Sequence, residues 1–299
     1  MGPVQAMTHP DVETIGLVAG WGRFPILVAR ELKRSGYKVV CCGIKGHAAP
    51  ELIDICDEFR WFGLAKLGAQ LRYFQSHQTS KATMAGKIFK TLLLEKFHLL
   101  KHLPDLKSLR HFYSIYFSKT KNRNDDTLLL TVTELFASGG VDFLPATDFA
   151  PKLLVHEGPL TRRLPNHDQL KDIDFAWNLA KEMGRLDIGQ SVAVKDRAVV
   201  AIEAVEGTDA CIRRAGELCK AGDIVIAKVA KPQQDMRFDV PTVGTSTLDT
   251  MKKSGASILA IEAEKTILLD KPDFIRKANE LDICVVSLLE PNTNRKIAA

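Results

Sequence analysis

The chain has 299 residues, 45% apolar and 26% charged, with a formal net charge of +5. That length and balance suit two globular domains, each with its own core, and so modest a charge gives no reason to expect nucleic acid as a partner. No run of eighteen apolar residues occurs and the start lacks a signal-peptide pattern, so neither a membrane span nor export is expected, and a cytoplasmic location is.

Residues 1–13 read as a leader outside the fold. The stretch IGLVA (15–19) predicts a strand, followed by a glycine turn, an amphipathic helix over 24–35 and a second strand over 38–42. This βαβ opening predicts a parallel sheet. A third strand is expected over 58–62 and a helix over 65–75. From Lys81 to Arg123 ten Lys or Arg face only two acids, Glu95 and Asp105, among many Leu, Phe and Tyr. That pattern predicts basic helices, packed on the sheet or lying on an anionic membrane. A helix over 125–137 and a strand over 141–144 close an N-terminal domain spanning 14–150.

The proline-rich stretch 145–166 marks the boundary. In the second domain, 151–299, a helix over 167–183 is followed by a hairpin (191–194 and 197–203) and a helix over 209–220. Strands are expected over 224–229, 237–240, 257–261, 266–269 and 283–287, with helices over 246–252 and 272–280. The fold class is therefore α/β: a parallel-sheet N-terminal domain and a mixed α/β C-terminal domain. The six cysteines are scattered without a CxxC pair and read as reduced core thiols.

The turn GLVAGWGRFP opens a helix after a strand, so Gly20, Gly22 and Arg23 are candidate contacts to a nucleotide phosphate. A tight turn with no ligand accounts for them as well. Their spacing is not G-x-G-x-x-G, and no acid closes the second strand, which argues against a dinucleotide cofactor. His98 and His102 share a helical face, but the residues between them lack the glutamate of a zinc hydrolase. Neither a P-loop nor a G-x-S-x-G elbow is present.

Two further stretches carry charge where chemistry needs it. GRLDIGQSVAV (184–194) contains Gln190, and EAVEGTDACIRR (203–214) contains Thr208 or Asp209 as a helix cap, with Arg213 and Arg214 beyond. A helix N-terminus beside a carboxylate suits a diphosphate with a divalent cation, although capping alone explains Thr208 and Asp209. In PQQDMRFDVPT, alternation along a strand sets Asp235, Arg237 and Asp239 on one face, near Lys228 and Lys231. A solvated edge strand blunted by Pro241 is the plainer account. Carboxylates and cations at strand ends are also what phosphoryl chemistry uses.

Together with KPQQDMRFDVPTVGTSTL (231–248), these stretches resemble the LpxI type of UDP-2,3-diacylglucosamine pyrophosphatase, from about Ile15 to the C-terminus. The resemblance implies a Rossmann-like N-terminal domain and a C-terminal lid with substrate between them. It implies a cytoplasmic, Mg²⁺-dependent hydrolase of lipid A biosynthesis that releases UMP and 2,3-diacylglucosamine 1-phosphate (lipid X), with water directed at the phosphorus nearer the sugar. Asp239 matches the family's essential acid and Asp235 a supporting one.

On this basis Asp239 and Asp209 are expected to hold Mg²⁺. Arg237, Lys228 and the helix start at Thr208 would meet the developing charge, and Asp239 or Asp235 would orient water. Gln190 and Arg213 are further candidate substrate contacts. The D-x-H, G-D and G-N-H-D elements of two-metal phosphoesterases are absent. Residues 81–121 are longer and more aromatic than the family pattern. Peripheral membrane contact there, and a homodimer, stand as further expectations. The alternative function is a nucleotide-sugar or lipid binding protein without turnover.

Overall fold

The computed structural model describes residues 12–88, 125–238 and 240–289, without side chains for 125–128. It divides into two compact units, 1–150 and 151–299.

In the first unit the strands are β1 (Thr14–Ala19), β2 (Lys38–Ile44), β3 (Glu58–Phe62), β4 (Lys81–Ala85) and β5 (Asp142–Phe143). They form one sheet in the order β3-β2-β1-β4-β5, and every neighbouring pair is parallel. Helix α1 (Phe24–Arg34) carries Pro25 in its first turn, where a missing N–H costs nothing, and buries Ile26, Val28, Ala29 and Leu32. Short α2 (Leu52–Ile55) follows β2, and α3 (Leu67–Ser76) follows β3.

α3 and α4 (Asp125–Ala137) press Leu67, Leu71, Phe74, Leu135 and Phe136 onto Val40, Cys42, Phe62 and Ala82 of the sheet. The strand order reverses direction at β1, a Rossmann-like arrangement whose switch point lies between β1 and β4. Short α5 (Ala146–Phe149) ends the unit.

One sequence expectation is corrected here. Lys81–Ala85, expected to begin a basic helical region, is the interior strand β4, held to β1 from Ile15↔Lys81 to Ala19↔Ala85. Its pattern KATMA is short and fully buried at three of five positions, and a strand flanked on both sides need not alternate. The remainder of the basic stretch, with His98 and His102, lies outside the described residues.

The second unit holds a six-stranded sheet in the order β6-β13-β11-β9-β7-β8. Its members are β6 (Gly158–Pro159), β7 (Ser191–Lys195), β8 (Ala198–Ile202), β9 (Ile224–Lys228), β11 (Ala256–Glu262) and β13 (Cys284–Leu288). β9, β11 and β13 are parallel, whereas β7, β8 and β6 join antiparallel, so the sheet is mixed. β10 (Thr242–Val243) and β12 (Ile267–Leu268) form a separate parallel pair.

Helix α6 (His167–Arg185) covers one face, setting Trp177, Ala180 and Met183 against Val192, Ala227 and Val229. It begins with a capping box, in which Asn166 accepts from the Gln169 amide and Gln169 accepts from the Asn166 amide. Helices α7 (Thr208–Leu218), α8 (Thr245–Lys253) and α9 (Lys271–Glu280) cover the other face, where Ile212, Leu248, Met251 and Phe274 meet Ala193, Ile226 and Leu259. The hairpin turn between β7 and β8 places Asp196 and Arg197 at positive φ, and both amides donate to the buried Asp172 carboxylate, at 2.9 and 2.7 Å.

Among its described residues the expected strand over 237–240 is not formed. Residues 236–238 make a turn, and pairing starts only at Thr242. The Asp235 carboxylate accepts the Arg237 amide at 3.0 Å, a local bond that takes the donor a ladder would need. Asp235 and Arg237 therefore do not share a strand face. Asp239 lies outside the described residues.

Candidate active site

Polar side chains gather where β9 ends, β7 begins and β8 has just finished. Ser191 lies opposite Lys228 in the ladder, and the Glu203 amide donates to the Ser191 carbonyl at 2.9 Å. Residues directly opposite on antiparallel strands project to one face. Ile226 and Ala193, two positions away, pack on α7, so Ser191, Glu203 and Lys228 project to the side where that helix starts.

Thr208 completes the group. Its Oγ1 lies 3.0 Å from Glu203 Oε1, 3.1 Å from Lys228 Nζ and 3.3 Å from Ser191 Oγ. Lys228 also donates to the Thr242 carbonyl at 3.1 Å, which ties β9 to β10. The group is deeply set: Ser191 is 0%, Glu203 6% and Lys228 8% exposed. Burying an ammonium and a carboxylate is costly unless each finds partners, and the shared hydroxyl supplies one to each. Glu203 Oε2 nonetheless has no hydrogen-bond partner among the described residues, and the same holds for Gln190 Oε1.

The start of α7 differs from the expected cap. Gly207 is the cap residue and no side chain caps the helix. Thr208 faces Glu203 and Lys228 instead, and Asp209 Oδ1 accepts from Thr247 Oγ1 of α8 at 2.9 Å. Buried partners compete successfully for both side chains, which leaves the leading amides and positive dipole end of α7 without a side-chain oxygen.

The Asp235–Arg237 pair lies beyond the end of β9. Arg237 Nε reaches both Asp235 oxygens, at 2.9 and 3.0 Å, and Nη2 reaches Oδ2 at 2.6 Å. This fork holds the Asp235 carboxyl below its ordinary range against the opposing effect of partial burial, and raises Arg237. The Arg237 guanidinium also lies over Phe238, 5.2 Å from the ring centre.

The loop that begins after Lys228 is fixed from below. The Ala230 amide donates to Glu262 Oε2 at 2.7 Å, and Lys181 bonds both Glu262 oxygens and the Ala230 carbonyl.

Thr208 and Lys228 are thus in direct contact. Asp209 lies one residue along α7, Asp235 and Arg237 form a pair of their own, and Gln190 precedes Ser191. Arg213 is exposed on α7, and no hydrogen bond or ion pair joins it to this group among the described residues. Gly20, Gly22 and Arg23 belong to the first unit. A Cβ on Gly20 would meet the Lys87 carbonyl oxygen at 2.8 Å, so close backbone packing beside β4 already requires glycine there. Gly22 has φ +107° with open space where a side chain would project, and Arg23 pairs with Glu51 at 3.6 Å.

Glu203, Ser191 and Thr242 were missed by the motif reading. Glu203 opens EAVEGTD, but its partnership with Lys228 depends on a rung of the ladder that spacing along the chain does not show.

Comparison with known proteins bears on the whole chain. Residues 14–153 match the family described as LpxI N-terminal domain, and residues 156–286 match the LpxI C-terminal domain. This chain belongs to the LpxI family. A curated relative, UDP-2,3-diacylglucosamine pyrophosphatase LpxI of Caulobacter vibrioides, is 29% identical over 283 residues, covering 92% of this chain and 97% of that protein. Both family domains occur in this LpxI-family chain, in order, with the Lys228–Thr208–Glu203 group inside the C-terminal match.

Magnesium usually takes one or two carboxylates and completes its shell with water and substrate phosphate. Asp209 fits that donor set, since Thr247 occupies one of its oxygens and the other takes no hydrogen bond from a described residue. No group of three or more His, Cys, Asp or Glu that could hold a metal by itself occurs among the described residues.

Proposed function

We propose that this chain hydrolyses the diphosphate of UDP-2,3-diacylglucosamine, releasing UMP and 2,3-diacylglucosamine 1-phosphate in lipid A biosynthesis. The match to both LpxI domains over nearly the whole chain carries this reading, and the buried Lys228 cluster gives it chemistry. Water's oxygen bonds to the phosphorus nearer the sugar, the bridging P–O bond breaks toward UMP, and water's proton leaves to a base.

Lys228 contributes a cation whose position is fixed by Thr208 and Thr242. A charge that is already oriented stabilises a transition state without reorganisation. The uncapped start of α7 adds amide donors of the same polarity. Mg²⁺ held by Asp209 and Asp239 would neutralise charge on the diphosphate when bound. Asp235 holds Arg237 as a planar cation, and Asp239 orients the attacking water. Gly20, Gly22 and Arg23 serve the nucleotide, with Gln190 and Arg213 as further substrate contacts.

Among the described residues no helix is long and apolar enough to cross a membrane. A cytoplasmic enzyme that meets its lipid substrate through peripheral contact of the basic stretch beyond β4, and self-associates as a homodimer, belongs to the same proposal.

The test is to incubate purified protein with UDP-diacylglucosamine and Mg²⁺ and follow UMP. Wild type releases UMP, and Asp239→Ala abolishes release while its melting curve is kept. Binding of substrate without UMP from wild type would instead identify a nucleotide-sugar binding protein.

A further inference from the structure

We infer that Glu203 is a positioning residue for this hydrolysis, acting through the Thr208 hydroxyl to keep the Lys228 ammonium aimed at the diphosphate. The inference rests on the hydrolase reading above and names a residue that the reading itself does not require.

The hydroxyl of Thr208 has one proton and three polar neighbours. Lys228 Nζ can only donate, and the Glu203 carboxylate oxygen at 3.0 Å accepts. The Thr208 proton therefore goes to Glu203, and its lone pairs turn toward Lys228 and Ser191. Glu203 thus fixes the hydroxyl as an acceptor for the lysine. A glutamine at 203 has one acceptor oxygen in place of two and carries no negative charge, so it holds the hydroxyl as an acceptor for the lysine less firmly.

Burial gives a second, independent indication. Glu203 is 6% exposed, and its Oε2 has no hydrogen-bond partner among the described residues. A buried polar atom left unpaired is costly, and a carboxylate oxygen more so. A glutamate that served only to hold α7 against β8 could be replaced by a neutral side chain without that cost. Its placement on the same rung as Ser191 and Lys228 agrees with a role at the reacting end of the sheet.

The experiment measures UMP release under single-turnover conditions with excess enzyme, for Glu203→Gln alone and in a Lys228→Met background. Glu203→Gln is expected to lower the rate about tenfold, within the usual range for coupled neighbours, with the enzyme concentration for half-maximal rate little changed. In the Lys228→Met background the same change is expected to cost nothing further. Thr208→Ser, which keeps the hydroxyl, is expected to retain more of the rate than Thr208→Val, and this pair carries the comparison if Glu203→Gln fails to fold. Equal losses in both backgrounds, or a wild-type rate for Glu203→Gln, would overturn the inference while leaving the hydrolase reading intact. An inactive wild type would overturn both.

Discussion

The fork between Asp235 and Arg237 illustrates what alternation along a sequence can and cannot say. The pattern D-x-R-x-D suggests a charged strand face, but the backbone spends the Arg237 amide on Asp235 two residues away, and the strand does not form. What results is a local ion pair whose carboxyl is 28% exposed and whose acid titrates below its ordinary range, chiefly through Arg237. A carboxyl depressed in the folded state stabilises above its unfolded pKa, and that contribution is lost as pH falls through the folded value. Asp235→Asn should cost about 1 kcal/mol at neutral pH. Between about pH 5 and the acid side of pH 4, the wild type should then lose stability more steeply than the variant. Urea midpoints at several pH values check this, and parallel curves for the two proteins would show that the fork does not stabilise the fold.

At the scale of elements, most helices and the β7–β8 hairpin were legible because their apolar residues recur at helical or alternate spacing and their ends carry turn or capping residues. β4 was not, since KATMA carries little periodicity and runs into a basic stretch. Glu203 was also hidden, because a cross-strand rung is set by register rather than by spacing. The loop that follows β9 is legible only in three dimensions, where the almost wholly buried Glu262 carboxylate collects the Ala230 amide and the Lys181 and Lys265 ammonium groups. Removing a buried carboxylate leaves both an unpaired amide and a partly buried cation. Glu262→Ala should therefore destabilise the protein by about 3 kcal/mol, while Glu262→Gln, which keeps an acceptor for Ala230, should cost less. Chemical denaturation with an unchanged m-value measures the difference. Equal losses for the two variants would mean that the amide bond contributes nothing.

For the molecule as a whole, the division of labour follows from which unit can gather charge. The first unit contributes a glycine turn at the switch point of a parallel sheet, legible from the βαβ opening of the sequence. The second brings together Glu203, Thr208, Asp209, Lys228 and Thr242, residues from three separate elements and the segment after β8, which meet only once the mixed sheet has formed. Metal dependence belongs at this scale, because a diphosphate and its cation would be held by acids that the fold assembles, and none of the described acids forms a structural metal cluster. Chelation should therefore abolish UMP release without lowering the melting temperature, and added Mg²⁺ should restore the rate in full. Asp209→Asn should raise the Mg²⁺ concentration for half-maximal rate about tenfold or more, a shift of the size seen when one group supporting a metal is lost. Undiminished turnover in chelator, or an unchanged Mg²⁺ requirement in Asp209→Asn, would remove Asp209 from the metal's shell and leave the cations of β9 and the following loop to neutralise the diphosphate.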